Sequence, residues 1–91
     1  MHYHNHGEKF IKDGEIYILS KLYMEVPDSQ NKVYYSLVSM RSGDSWSGLL
    51  LNENEITRNS ITEDQLINLM GRGHFTPYIR IQSLRRINTH V

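Results

Sequence analysis

Residues 33–51, VYYSLVSMRSGDSWSGLLL, constrain the fold of this chain more than any other stretch. Two segments rich in aromatic and aliphatic residues flank Gly43-Asp44, a pair suited to a tight hairpin because glycine takes positive φ without a Cβ clash. With Gly43 and Asp44 as the central residues of a type II′ turn, Arg41 faces Trp46, Met40 faces Ser47, Val38 meets Leu49 and Leu37 meets Leu50. A three-residue loop with Gly43 in a bulge would instead slide Trp46 opposite Val38. The first register is preferred because it lets Arg41 stack on Trp46 at the hairpin end. Leu49-Leu50-Leu51 is apolar on both faces, the pattern of an internal strand rather than an edge.

A helix follows at Glu63–Met70. Thr62 as N-cap and Gln65 three residues on make a capping box, and Glu63 and Asp64 place negative charge where the helix dipole favours it. Ile61 before the cap and Leu66 form a hydrophobic staple, and Gly71 supplies the left-handed stop. Leu66, Leu69 and Met70 give the buried stripe. Eight residues do not hold a helix alone, so this one must dock on the sheet.

From residue 15 to 26 the even positions Ile16, Ile18, Leu22 and Met24 alternate with charged Glu15, Lys21 and Glu25. That period of two predicts a half-buried strand with the even side inward and Tyr17, Leu19 and Tyr23 partly covering the other face. Pro27-Asp28-Ser29-Gln30-Asn31 is turn chemistry, so this strand and the next form a hairpin. Asn52 to Asn59 reads as a loop or a short strand. Phe75, Ile79 and Ile81 alternate around Pro77, which marks an edge or a strand start. Leu84, Ile87 and Val91 fall at helical spacing. Residues 1–12 read as a polar lead-in, and residues 13–91 as one domain.

The expected fold is mainly β with one short helix: a small SH3-like, partly open antiparallel barrel, or alternatively an α+β sheet carrying the helix on its face. The absence of cysteine excludes disulfide staples, zinc ribbons and thiol nucleophiles and suits a reducing compartment. The first ten residues lack the apolar core of a secretory signal, and no apolar run is long enough to span a bilayer, so a soluble cytoplasmic protein is expected. Lys/Arg and Asp/Glu balance at ten each. The first 71 residues hold all ten acids and six of the bases, and residues 72–91 hold Arg72, Arg80, Arg85 and Arg86 with no acid. Two halves that neutralise each other explain this, as does a basic C-terminal face for a polyanion or an acidic partner.

In the preferred register Tyr35, Arg41 and Trp46 share a face. Such a face can stack a base or nucleotide ring, and aromatic residues on a small sheet equally fill its core. The Gly71-Arg72-Gly73-His74 loop can turn backbone N–H groups towards an anion, with Arg72 adding charge. It follows the C-terminal end of the helix, the wrong end of the dipole for phosphate, so a helix cap is the favoured reading. His2, His4 and His6 alternate and would face one way in an extended segment, a weak candidate for Zn²⁺ or Ni²⁺ against the simpler reading of a solvated tail. No nucleophile–base pair, phosphate-loop glycine pattern or close acid pair with a matching histidine is present. Neither an enzyme nor a cofactor is expected.

The pieces YYSLVSM, SGD, SWS, ITEDQLINL and FTPY, across residues 14–78, resemble in their layout short phage and prophage proteins of Gram-positive bacteria. The resemblance implies a non-enzymatic accessory protein that binds and sequesters a host component, as in host takeover or evasion of bacterial immunity. The partner would be a host protein or a small signalling nucleotide. A small nucleic-acid-binding barrel is the alternative, and self-association into a homo-oligomer is compatible with both. The residues expected to carry binding are Tyr35, Arg41, Trp46, Arg72 and His74, with Arg85 and Arg86 as steering charges.

Overall fold

The computed structural model describes residues 2–56 and 59–78. It is mainly β with one helix. Strands β1 (Tyr3–His4), β2 (Lys9–Lys12), β3 (Glu15–Met24), β4 (Lys32–Ser39) and β5 (Ser45–Asn52) are followed by a 3₁₀ turn, Glu53–Glu55. Strand β6 (Ile61–Thr62) leads directly into α1 (Glu63–Met70), and β7 (Thr76–Pro77) is the last described strand. One antiparallel sheet has the order β5-β4-β3-β2-β7, and β1 pairs with β6 in a second, two-stranded one. The sheets do not close into a barrel. The arrangement is therefore a sheet with one helix packed on it. Among the described residues no helix is long and apolar enough to cross a membrane.

The polar lead-in belongs to the fold. Asp13 and Gly14 both take positive φ, 52° and 76°, which turns β2 into β3 through the two-residue Asp-Gly loop that matches strand twist. This sets Phe10 opposite Tyr17, and both are buried. The β3–β4 hairpin runs from Tyr17↔Ser39 to Met24↔Lys32. Its loop contains Asp28 at φ 61°, as the turn residues predict.

The buried side of β3 is the odd one. Leu19 is fully buried and Tyr17 nearly so, whereas Leu22 on the even side is 56% exposed. This inverts the expected facing. Both sides of β3 are apolar, and the choice was made by what docks: Leu66 and Leu69 of α1 join Leu19, Val33, Tyr35, Leu37, Leu51 and Ile61 in one core. Each such side chain contributes about 1.5–3 kcal/mol relative to exposure.

The β4–β5 connection also departs from expectation. Val38 pairs with Ser45 and Leu37 with Ser47, leaving Trp46 in a bulge, and Tyr35 then meets Leu49 and Tyr34 meets Leu50. The preferred register does not occur; the alternative's offset holds from Lys32↔Asn52 to Leu37↔Ser47, and only at its end does the bulge put Ser45, not Trp46, opposite Val38. Gly43 does take positive φ, 80°, but inside a longer loop closed by the Ser39 side chain. The Ser39 hydroxyl accepts from the Arg41 and Ser42 amides at 3.2 Å, and the Asp44 carbonyl accepts from the Ser39 amide at 2.8 Å. Among the described residues β5 ends the sheet order, so Leu49-Leu50-Leu51 stands at an edge there and not at the internal position its pattern predicts. Gly48 lies under Tyr34, whose ring occupies the space a Cβ would need.

The helix has the bounds its sequence predicts. Thr62 Oγ1 accepts from the Gln65 amide at 3.2 Å and Gln65 Oε1 accepts from the Thr62 amide at 2.8 Å. Ile61 and Leu66 are both buried. Gly71 ends the helix with φ 56° and ψ −122°, a positive-φ stop outside the left-handed helical basin. Pro77 sits on β7 at the sheet edge, as its missing N–H requires. Ile79, Ile81 and the helical spacing of Leu84, Ile87 and Val91 fall outside the described residues.

Because the cap satisfies two amides of a helix too short to persist unaided, Thr62→Ala should lower stability by about 1 kcal/mol. Urea unfolding measures it, and a loss below a few tenths would mean that the reciprocal pair is not formed in solution.

Candidate functional site

The anticipated Tyr35–Arg41–Trp46 face is not assembled. Tyr35 points into the core, fully buried, and its hydroxyl donates to the Asn59 carbonyl at 3.1 Å. Burial pushes its phenol pKa up. Arg41 lies in the exposed β4–β5 loop and lines a separate cleft of about 280 Å³ with Gly14, Glu15, Ile16 and Met40. Arg85 and Arg86 fall outside the described residues.

Trp46 instead anchors a corner built from three elements. Its indole N–H donates to the Met70 carbonyl at the end of α1, at 3.0 Å. The Phe75 ring meets it edge-on at 5.8 Å, and Phe75 in turn packs edge-on against Tyr17 at 5.3 Å. The Lys12 ammonium lies 4.3 Å from the indole centre. Neighbouring Ser47 donates to the Leu69 carbonyl. The bulge therefore lets two consecutive side chains of β5 reach the last two carbonyls of the helix, whose intrahelical partners are missing. Trp46 remains 42% exposed.

Lys12 also pairs with Asp13 at 2.9 Å, a contact that raises the ammonium pKa and lowers that of the carboxyl. Arg72 and His74 are exposed on the loop that returns from the helix. Gly73 of that loop lies so close to Phe75 and Trp46 that a Cβ there would clash with Phe75. The Gly71 and Gly73 amides donate back to the Ile67 and Met70 carbonyls at 3.0 and 2.9 Å, so they serve the helix end and are not turned towards an anion. Lys12 and Phe75 were not singled out in the sequence. The alternation that puts Lys12 on the side of Phe10 was the available signal, and it required recognising the Asp13-Gly14 hairpin.

Two polar clefts lie at the opposite end, sharing Glu53. One, of about 400 Å³, is lined by Ser29, Gln30, Asn31, Glu53 and Asn54. The other, of about 320 Å³, includes Lys21, Tyr23, Val33, Ile56 and Asn59. Asn31 Nδ2 donates to the Tyr23 hydroxyl at 2.6 Å and to Glu53 at 3.3 Å, so their polar groups are already engaged with one another.

The amino-terminal histidines do not converge on a metal. Among the described residues no group of three or more His, Cys, Asp or Glu is arranged to hold one. His6 Nδ1 accepts from the Lys21 amide at 2.9 Å. His4 is held at both nitrogens, Nδ1 to Glu8 at 2.8 Å and Nε2 to Glu63 at 2.6 Å, with its ring near those of His2 and Phe10. Two carboxylate partners require an imidazolium that donates twice. The contact ties the start of the chain to the first turn of α1.

Compared with known proteins, the chain matches no family model, no curated protein and no solved structure.

Partial burial opposes charge on His4, but the hydrogen bonds to Glu63 and Glu8 outweigh it, so its pKa is raised above 6.5. A raised folded-state pKa means the contribution is fully present below pH 6.5 and is lost as pH rises through the folded value. The melting temperature should therefore decline over that interval, and His4→Gln should flatten the decline. An unchanged pH profile in the variant would show that the imidazolium bridge contributes nothing.

Proposed function

We propose that this chain is a non-enzymatic binding protein that captures a protein partner at the Trp46 corner. The observation that carries this reading is that Trp46 is substantially exposed yet fixed in place by Met70, Phe75 and Lys12. An aromatic side chain already ordered loses little freedom on binding. Tryptophan and arginine are also the residue types that most often dominate protein interfaces. The serine hydroxyls nearby offer no support for catalysis: Ser39 donates to Glu15 and Ser47 to a backbone carbonyl, and neither meets an imidazole.

Charge favours a protein over a nucleic acid. Among the described residues, this end carries Lys12, Arg41 and Arg72 against Asp13, Glu15 and Asp44, which leaves no surplus there to displace counterions from a phosphate backbone. A small nucleotide finds equally little support at the opposite end. There Lys21 is the one cation lining the clefts among the described residues, and the Glu53 carboxylate shared by both repels phosphate. The resemblance of the sequence layout to short phage proteins is the support for an accessory role in which a host protein is capped and sequestered in the bacterial cytoplasm.

The test retains proteins from bacterial lysate on the parent chain, Trp46→Ala and Arg72→Ala. A protein held by the parent should be lost by the first variant and weakened roughly tenfold by the second. Arg72→Ala should keep the parental melting temperature. Retention unchanged in both variants would place the site elsewhere. Nuclease-sensitive retention, with log K falling by about 3–4 per decade of salt, would indicate nucleic acid instead.

A further inference from the structure

The two edges of the main sheet are built differently. Strand β7 is two residues long and contains Pro77, a blunted edge that resists further pairing. Strand β5 is eight residues long, SWSGLLLN, with no charge and no proline. Its one irregularity, the bulge at Trp46, lies away from the leucines. Among the described residues no strand pairs with its free side.

The leucines carry the pattern of a strand with neighbours on both sides. Leu51 is buried and Leu49 packs against the core. Leu50, on the outer face, is 54% exposed and completes a row with Tyr34 and Leu22, directly opposite one another across β5, β4 and β3. Among the described residues that row stops at the β5 edge.

We propose that β5 pairs with β5 of a second copy of this chain, antiparallel about a two-fold axis at Leu50. This register keeps like faces together. Leu50 meets Leu50 of the partner subunit, so the outer row continues into the second sheet, while Leu49 meets the partner subunit's Leu51 on the core side. Segment 48–52 is used and Trp46 stays free, so the inference stands whether or not Trp46 binds a partner. The formal net charge is zero, so no long-range repulsion opposes two copies.

Sedimentation of the full chain from about 1 μM to 1 mM tests this. The mass should rise to twice the 10.7 kDa of the chain. Leu50→Lys should be monomeric, because two ammonium groups would face each other across the axis. Leu50→Thr keeps strand propensity and should weaken association at least tenfold. Leu22→Lys changes an equally exposed leucine two strands from the edge and should still dimerise, with far-UV circular dichroism verifying the fold of each variant. A parent that is monomeric throughout overturns the proposal. So does loss of the dimer in both lysine variants, which would mean face-to-face packing of the outer surfaces.

Discussion

Burial of the inner face of β4 is the interaction on which the rest of the structure depends. Val33, Tyr35 and Leu37 are almost completely shielded, and β4 has a partner strand along both sides. An eight-residue helix is not stable in isolation, so α1 exists because Leu66 and Leu69 complete the shielding of this face. The position of α1 then sets the position of its last carbonyls, and these hold Ser47 and Trp46. The exposed tryptophan is thus placed by the core and not by its own loop.

What was legible in the sequence is what local chemistry decides. Thr62 and Gln65 satisfy amides within one turn of themselves, and their spacing alone located α1. The turn between β3 and β4 was equally readable because Pro27 fixes its own φ and Asp28 tolerates the positive φ the loop needs. The facing of β3 was not readable. Ile16, Ile18, Leu22 and Met24 on one side are as apolar as Tyr17, Leu19 and Tyr23 on the other, and a period of two cannot choose between them. The choice belongs to α1, more than forty residues away. Between the two β4–β5 registers the preference fell on the wrong one for a different reason: the Ser39 side chain closes the loop, so Gly43-Asp44 is only part of a larger turn, and the other offset holds along most of the pair.

The candidate site was legible by residue type more than by geometry. Trp46, Arg72 and His74 do lie at one end of the sheet, whereas Tyr35, equally aromatic, fills the core. Lys12 and Phe75 complete the corner from segments that the sequence reading treated as a lead-in and an edge. The histidines illustrate the same limit. Their alternation suggested one shared face, and His2 and His4 do stack, yet His6 is held by the Lys21 amide and His4 finds Glu63 fifty-nine residues away. The leucine triplet of β5 shows the converse. Its apolar pattern is that of a strand with two neighbours, and among the described residues only β4 pairs with it.

The central claim is that the odd-numbered face of β3, β4 and β5 is the inside of this protein. The most direct measurement compares the unfolding free energies of Leu19→Ala and Leu22→Ala, which remove the same atoms from opposite faces of β3. Loss of fully buried Leu19 should cost about 2–5 kcal/mol, and loss of exposed Leu22 about 0.5 kcal/mol or less. Equal losses, or a larger loss for Leu22, would contradict the account, because the helix would then pack on the other side of the sheet.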